Sequence, residues 1–172
     1  MKAKAEYLDL RGKFRPEKFG AIFVAESPPA SGRYFYDPTG SVTEHLFLAL
    51  MKAIGCDPAT KTDGLLVFQS RGLFLIDATY RPVNRSSLRD RNNQIMKDYP
   101  KFLDDLRAIQ GIESIPIILV KANICQLLEP KLDEDGFNVA NLGQSLYFPA
   151  CGRQGEFQTQ LKAILARNRI SL

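Results

Sequence analysis

The sequence predicts an α/β fold, a mostly parallel sheet with helices on both faces. Short apolar runs alternate with longer amphipathic stretches along the chain, the pattern of repeated strand–helix–strand units. The runs at 21–25 and 73–76 are apolar without alternation, as befits strands buried on both faces. Both runs end abruptly at a carboxylate, Glu26 and Asp77, which places an acid at the carboxyl edge of the sheet, where open α/β sheets bind ligands. The 172 residues suit one domain with a sizeable core. Four strands fit that length, so the expectation is a single-domain, three-layer α/β/α sandwich around a central four-stranded parallel sheet, covering residues 1–172.

Residues 1–19 are polar and basic and read as an N-terminal arm. Strand one follows at 20–25. The next stretch predicts a helix over 41–54, with Ser41 as N-cap, Glu44 completing a capping box and Gly55 as C-cap. Leu46, Leu50, Ala53 and Ile54 form its apolar stripe. Asp57-Pro58 starts another helix reaching about Ser70, and 72–77 is strand two. Residues 85–109 are mostly helical, with Pro100 marking a break or restart. Strand three covers 115–120, a short helix 123–128, a polar surface loop 133–143, strand four 145–148 and a closing helix 153–167. No internal repeat, low-complexity stretch or domain linker interrupts this order.

Composition narrows the function classes. The chain is 45% hydrophobic and 24% charged, ordinary for a soluble globular protein. No apolar run approaches the ~20 residues that span a bilayer. The opening Met1-Lys2-Ala3-Lys4-Ala5-Glu6 has no apolar signal core, so a cytoplasmic protein with no membrane partner is expected. Cys56, Cys125 and Cys151 are odd in number and have no paired spacing, which argues against a disulfide framework and a four-cysteine metal site. The single His45 cannot build a histidine-rich metal centre, so no metal is expected. The net charge of +4 permits an anionic partner. Arg81, Arg85, Arg89 and Arg91 cluster together, and the last helix carries Lys162, Arg167 and Arg169. No Gly-x-Ser-x-Gly elbow is present, which excludes a serine hydrolase of that type.

The stretch from Ala25 to Gly55 resembles the iron–sulfur-type (family four) uracil-DNA glycosylases. Their first motif, Gly-Glu-Ala-Pro-Gly, stands here as Ala25-Glu26-Ser27-Pro28-Pro29. Their Gly-x-Pro-Phe-Val-Gly-x-x-Gly stands at the same spacing as Gly32-Arg33-Tyr34-Phe35-Tyr36-Asp37-Pro38-Thr39-Gly40. A helix ending in Ile54-Gly55 follows. The block 73–82 with Asn84-Arg85 is similar to the family's second strand and its Arg-Pro-Pro turn. The run 117–122 resembles the strand and turn before the last motif. Phe148-Pro149-Ala150-Cys151 with Arg153 sits where the family has His-Pro-Ser and a downstream arginine. The chain departs from the pattern at Phe148, which replaces the histidine, and at Ala25 and Pro29, which replace glycines. The four cysteine ligands are absent, so neither an iron–sulfur cluster nor any other cofactor is expected.

The resemblance implies a monomeric DNA glycosylase-like protein acting on single- or double-stranded DNA. It would hydrolyse the N-glycosidic bond of a deaminated or damaged base flipped into a pocket. Glu26 matches the position that stabilises the sugar cation or orients water, and Phe35 the position that stacks on the base, with Tyr36 a neighbour able to do the same. Asp77 lies near the family's base-reading asparagine. Ser27, Pro28, Asn84, Pro149 and Arg153 complete the expected substrate contacts. Each assignment has a structural counterpart. Glu26 could be a cap or a salt-bridge partner, Phe35 a core aromatic, Asp77 a turn cap through Thr79, and the arginine cluster a solvated helix face. Arg153 opens a helix after a sheet edge, a natural anion site. His45 reads as structural, and the cysteines as core residues, with Cys151 a further candidate for the site wall. Two rival functions share the fold: a non-catalytic nucleic-acid or nucleotide-binding module, and a hydrolase of free nucleosides or nucleotides.

Overall fold

The computed structural model describes residues 3–171. Three parallel strands, β1 (Ala21–Ala25), β2 (Leu73–Asp77) and β3 (Ile117–Leu119), form a sheet of order β2-β1-β3. In the register Ala25 stands beside Asp77 and Val24 beside Leu119, so all three strands end at the same edge. Every residue of the three strands is buried, the condition for parallel strands covered on both faces.

Among the described residues six α-helices flank the sheet: α1 (Lys4–Gly12), α2 (His45–Ala53), α3 (Lys61–Ser70), α4 (Leu88–Arg107), α5 (Ala122–Glu134) and α6 (Gln154–Asn168), with a short 3-10 turn at Ile112–Ser114. The chain leaves central β1 to one side for β2, then crosses back to the other side for β3. Right-handed crossovers put the β1–β2 helices and the β2–β3 helix on opposite faces, compatible with a three-layer sandwich.

The sheet has three strands rather than four. Residues 145–148, expected as strand four, are not in strand conformation. The free edge of β3 is closed by other means. Ile117 pairs with 138–140 through Asn138 O and Ala140 N, and a single bridge joins Ile117 to Val139. The Asn141 side chain then bonds both backbone groups of Leu119, accepting from its N–H at 2.9 Å and donating to its carbonyl at 3.0 Å. Lys121 N–H donates to Leu146 O at 2.7 Å. One side-chain amide thus occupies the place of a strand, and the edge offers residues 145–148 a single backbone bond.

Other boundaries moved for local reasons. The expected arm at 1–19 contains α1, while residues 1 and 2 lie outside the described residues. Its Tyr7 is buried against the Tyr34 ring, a tertiary anchor that polar composition conceals. Helix α2 starts at His45, because Ser41 Oγ caps only a local turn through Thr43 N–H. Helix α3 starts at Lys61, where Thr60 and Asp63 form a capping box. Helix α4 runs unbroken through Pro100; burial of Ile95, Phe102 and Leu106 outweighs the ~3 kcal/mol that an interior proline costs. Helix α5 extends to Glu134, past the expected stop at 128.

Candidate functional site

Glu26 follows β1 directly, Asp77 ends β2, and Lys121 lies two residues beyond β3. The loop after β1 leads toward one face and the loop after β3 toward the other, so the β1–β3 boundary is the switch point where such sheets open a crevice. A cavity of about 330 Å³ opens at this edge, near the small end of the ~300–1,000 Å³ range of ligand sites. Its wall includes Glu26, Ser27, Pro28, Phe35, Asp77 and Asn84, together with Arg33, Tyr34, His45, Lys121 and Phe148.

Glu26 is buried and heavily partnered. Lys121 Nζ donates to Oε2, Asn123 Nδ2 donates to Oε1 at 2.9 Å, and Arg91 Nη1 stands 3.8 Å from Oε2. Two cations and an amide thus surround one carboxylate. Lys121 reaches it from a backbone at φ 88°, a strained conformation for a residue with a Cβ. Its carbonyl accepts the first N–H groups of α5 at Ile124 and Cys125. Arg91 also donates to Ser86 O and Asn84 O, which ties the carboxylate to the 83–87 loop. Ser27 Oγ accepts from Val83 N–H, and Asn84 Oδ1 accepts from Ala30 N–H at 2.9 Å. The Ser27-Pro28-Pro29 turn and the loop after β2 are therefore stitched together beside the cavity.

Asp77 is the opposite case. Its carboxyl is 4% exposed, and Oδ2 has no hydrogen-bond partner. Burial pushes its pKa up to about 7, against the pull of Arg11 and the Tyr34 hydroxyl. The Tyr34 hydroxyl is equally sealed and makes no well-formed hydrogen bond of its own. Thr79 does not engage Asp77; its hydroxyl donates to Asp98 at 2.6 Å and accepts from Arg81 N–H. Two buried, unmatched polar groups at the floor of a cavity are costly to a fold.

Phe35 is buried among other aromatic rings and also stands on the cavity wall. It packs edge-on against Phe68 and Tyr36, tilts against Phe47, and lines the cavity. The loop carrying it is pinned by Lys61, a fully buried lysine whose Nζ donates to Tyr34 O at 2.7 Å and Glu44 Oε2 at 2.6 Å.

Three expected contacts lie elsewhere. Tyr36 is fully buried behind Phe35, and its hydroxyl accepts from Leu75 N–H at 2.7 Å; it is a core residue, off the cavity wall. Pro149 is buried away from the cavity. Arg153 is half exposed, pairs with Glu156 at 3.2 Å and stacks over Tyr147, so the start of α6 is a separate surface. In the other direction, Lys121, Asn123, Arg91 and His45 were not anticipated as site residues. Lys121 was findable, because it follows an apolar strand as Glu26 does. His45 stands on the wall at the first turn of α2.

Among the described residues no group of His, Cys, Asp and Glu side chains is arranged to hold a metal ion, and none of the helices is long and apolar enough to cross a membrane. Cys125 is buried and Cys151 exposed, and all three cysteines are free. No protein-family model matches the chain, and neither the curated proteins nor the solved structures compared with it include a match.

Proposed function

We propose that this chain is a uracil-DNA glycosylase-like enzyme that releases a deaminated or damaged base from DNA by hydrolysing its N-glycosidic bond. The observation that carries this reading is convergence. Glu26, Ser27, Pro28, Phe35, Asp77 and Asn84, drawn from two motifs about fifty residues apart, line one cavity at the carboxyl edge of the sheet. Positive charge develops on the sugar as the bond breaks. Glu26, fixed by Lys121 and Asn123, is preorganised to stabilise it or to orient water. Phe35 offers an aromatic surface to the base, a contact worth ~1–3 kcal/mol. Asp77 would meet the base edge at the floor. Arg33 at the mouth and the exposed Arg85 and Arg89 supply charge for the phosphates. The enzyme would work as a monomer in the cytoplasm, without a cofactor.

One observation favours a second reading, a nucleic-acid-binding module without catalysis. Phe148 occupies the cavity wall, where the resemblance places a histidine, and Glu26 is already committed to two donors and an ion pair with Arg91. Oligonucleotides carrying uracil, hypoxanthine or xanthine, single- and double-stranded, separate the two. Base release from at least one supports the enzyme. Salt-sensitive binding with no release from any selects the module.

A further inference from the structure

Breaking the bond between C1′ and the base sends the bonding pair onto the base nitrogen. The departing base then needs a hydrogen-bond donor or a proton. Phe148 offers none. Ser27, Ser31 and Asn84 stand on the wall, but a hydroxyl or an amide offers a hydrogen bond and no proton. Lys121 is bound to Glu26, and Glu44 to Lys61 and the Ser41 N–H. Tyr34 and Asp77 are buried at the floor, away from the solvent that would return a donated proton. Arg33 is exposed at the mouth, but a guanidinium does not release its proton in a protein. His45 differs from all of them. It is exposed, lines the cavity, and makes no hydrogen bond or ion pair among the described residues.

We infer that His45 is the catalytic proton donor of this cavity, contacting the departing base where Phe148 cannot. The inference rests on the base-release reading above. The C1′–N bond breaks, and its electron pair goes to the base. The imidazolium of His45 gives that base a proton. Water adds its oxygen to C1′ and loses a proton to Glu26, which passes it to solvent; solvent reprotonates the imidazole. The charged and titratable groups facing the same cavity are Glu26 with Lys121 and Arg91, Glu44 with Lys61, Arg33, Asp77 and Tyr34.

His45 is the only histidine in the chain, so its imidazole Hε1 resonance is an unambiguous NMR probe. Free uracil or hypoxanthine added to the whole protein should shift it. His45→Gln should fold normally and lower kcat for base release by roughly 100-fold. It should also change the pH profile of base release. Added imidazole should restore activity to His45→Ala. Unchanged kcat and an unchanged pH profile in both variants would overturn the inference while leaving the glycosylase reading intact. Absence of base release by the wild type would sink that reading, and His45 as a proton donor with it. The NMR arm then reports whether a ligand contact survives: an unmoved His45 resonance removes even that.

Discussion

Asp77 is a carboxylate whose charge the fold controls through burial. Its pKa of about 7 lies well above the ordinary 3.8, so between those values the unfolded chain has lost a proton that the folded chain keeps. Folding then binds a proton, and stability falls as pH rises through that window. Above pH 7 both states are ionised and the loss is complete. Urea denaturation across pH should show wild-type stability falling by on the order of 2–4 kcal/mol from pH 4 to pH 7 relative to Asp77→Asn. Parallel pH curves for the two proteins would show that the carboxyl is not desolvated as described. Glu26, by contrast, is partnered by Lys121, Asn123 and Arg91. The two carboxylates are legible in the sequence because each ends an apolar run. Their partners are not, since Arg91 and Asn123 reach Glu26 only once α4 and α5 are packed. Tyr36 and Phe35 are neighbours of the same chemical kind, and only packing decides that one lines the cavity while the other fills the core.

At the scale of elements, the edge of β3 depends on one side chain. Asn141 is fully buried and supplies both backbone partners of Leu119, with further bonds to Gln144 O and Cys125 Sγ. Asn141→Ala leaves the Leu119 N–H buried without a partner and its carbonyl with only the weak Cys125 thiol donor, and should cost about 1–3 kcal/mol by chemical denaturation; a loss below about 0.5 kcal/mol would mean that water or residues 145–148 replace it readily. Helix α3 meets a tighter limit at Gly64, where an added Cβ would stand 2.5 Å from the Phe47 ring and 2.9 Å from Met51 Sδ. Gly64→Ala should therefore destabilise by about 1–3 kcal/mol, where an exposed helix site would gain from alanine. The strands β1 and β2 are plain in the sequence because parallel burial demands unbroken apolar runs. The absent fourth strand is not, because 145–148 carries the apolar residues of a strand while the hydrogen bonds that would make it one are taken by Asn141. Pro100 misleads in the same way: a local rule favours a break, and the buried face of α4 overrides it.

At the scale of the molecule, the strand order β2-β1-β3 explains why the site lies where it does. Parallel strands deliver Glu26, Asp77 and Lys121 to one edge, and the change of winding direction at β1 opens the crevice between them. The excess positive charge belongs to this account only if Arg85 and Arg89 meet phosphate. Each replacement by alanine should weaken DNA binding uniformly across sequences and lower the salt slope by about one; slopes equal to wild type would make that arginine cluster an ordinary solvated face. The most direct measurement of the central claim is single-turnover base release by Glu26→Gln beside the wild type, with DNA binding measured on the same samples. The account expects release to fall by roughly 10²–10³-fold with binding preserved. Equal release by both proteins would contradict it, since the carboxylate around which the cavity is built would then take no part in the chemistry.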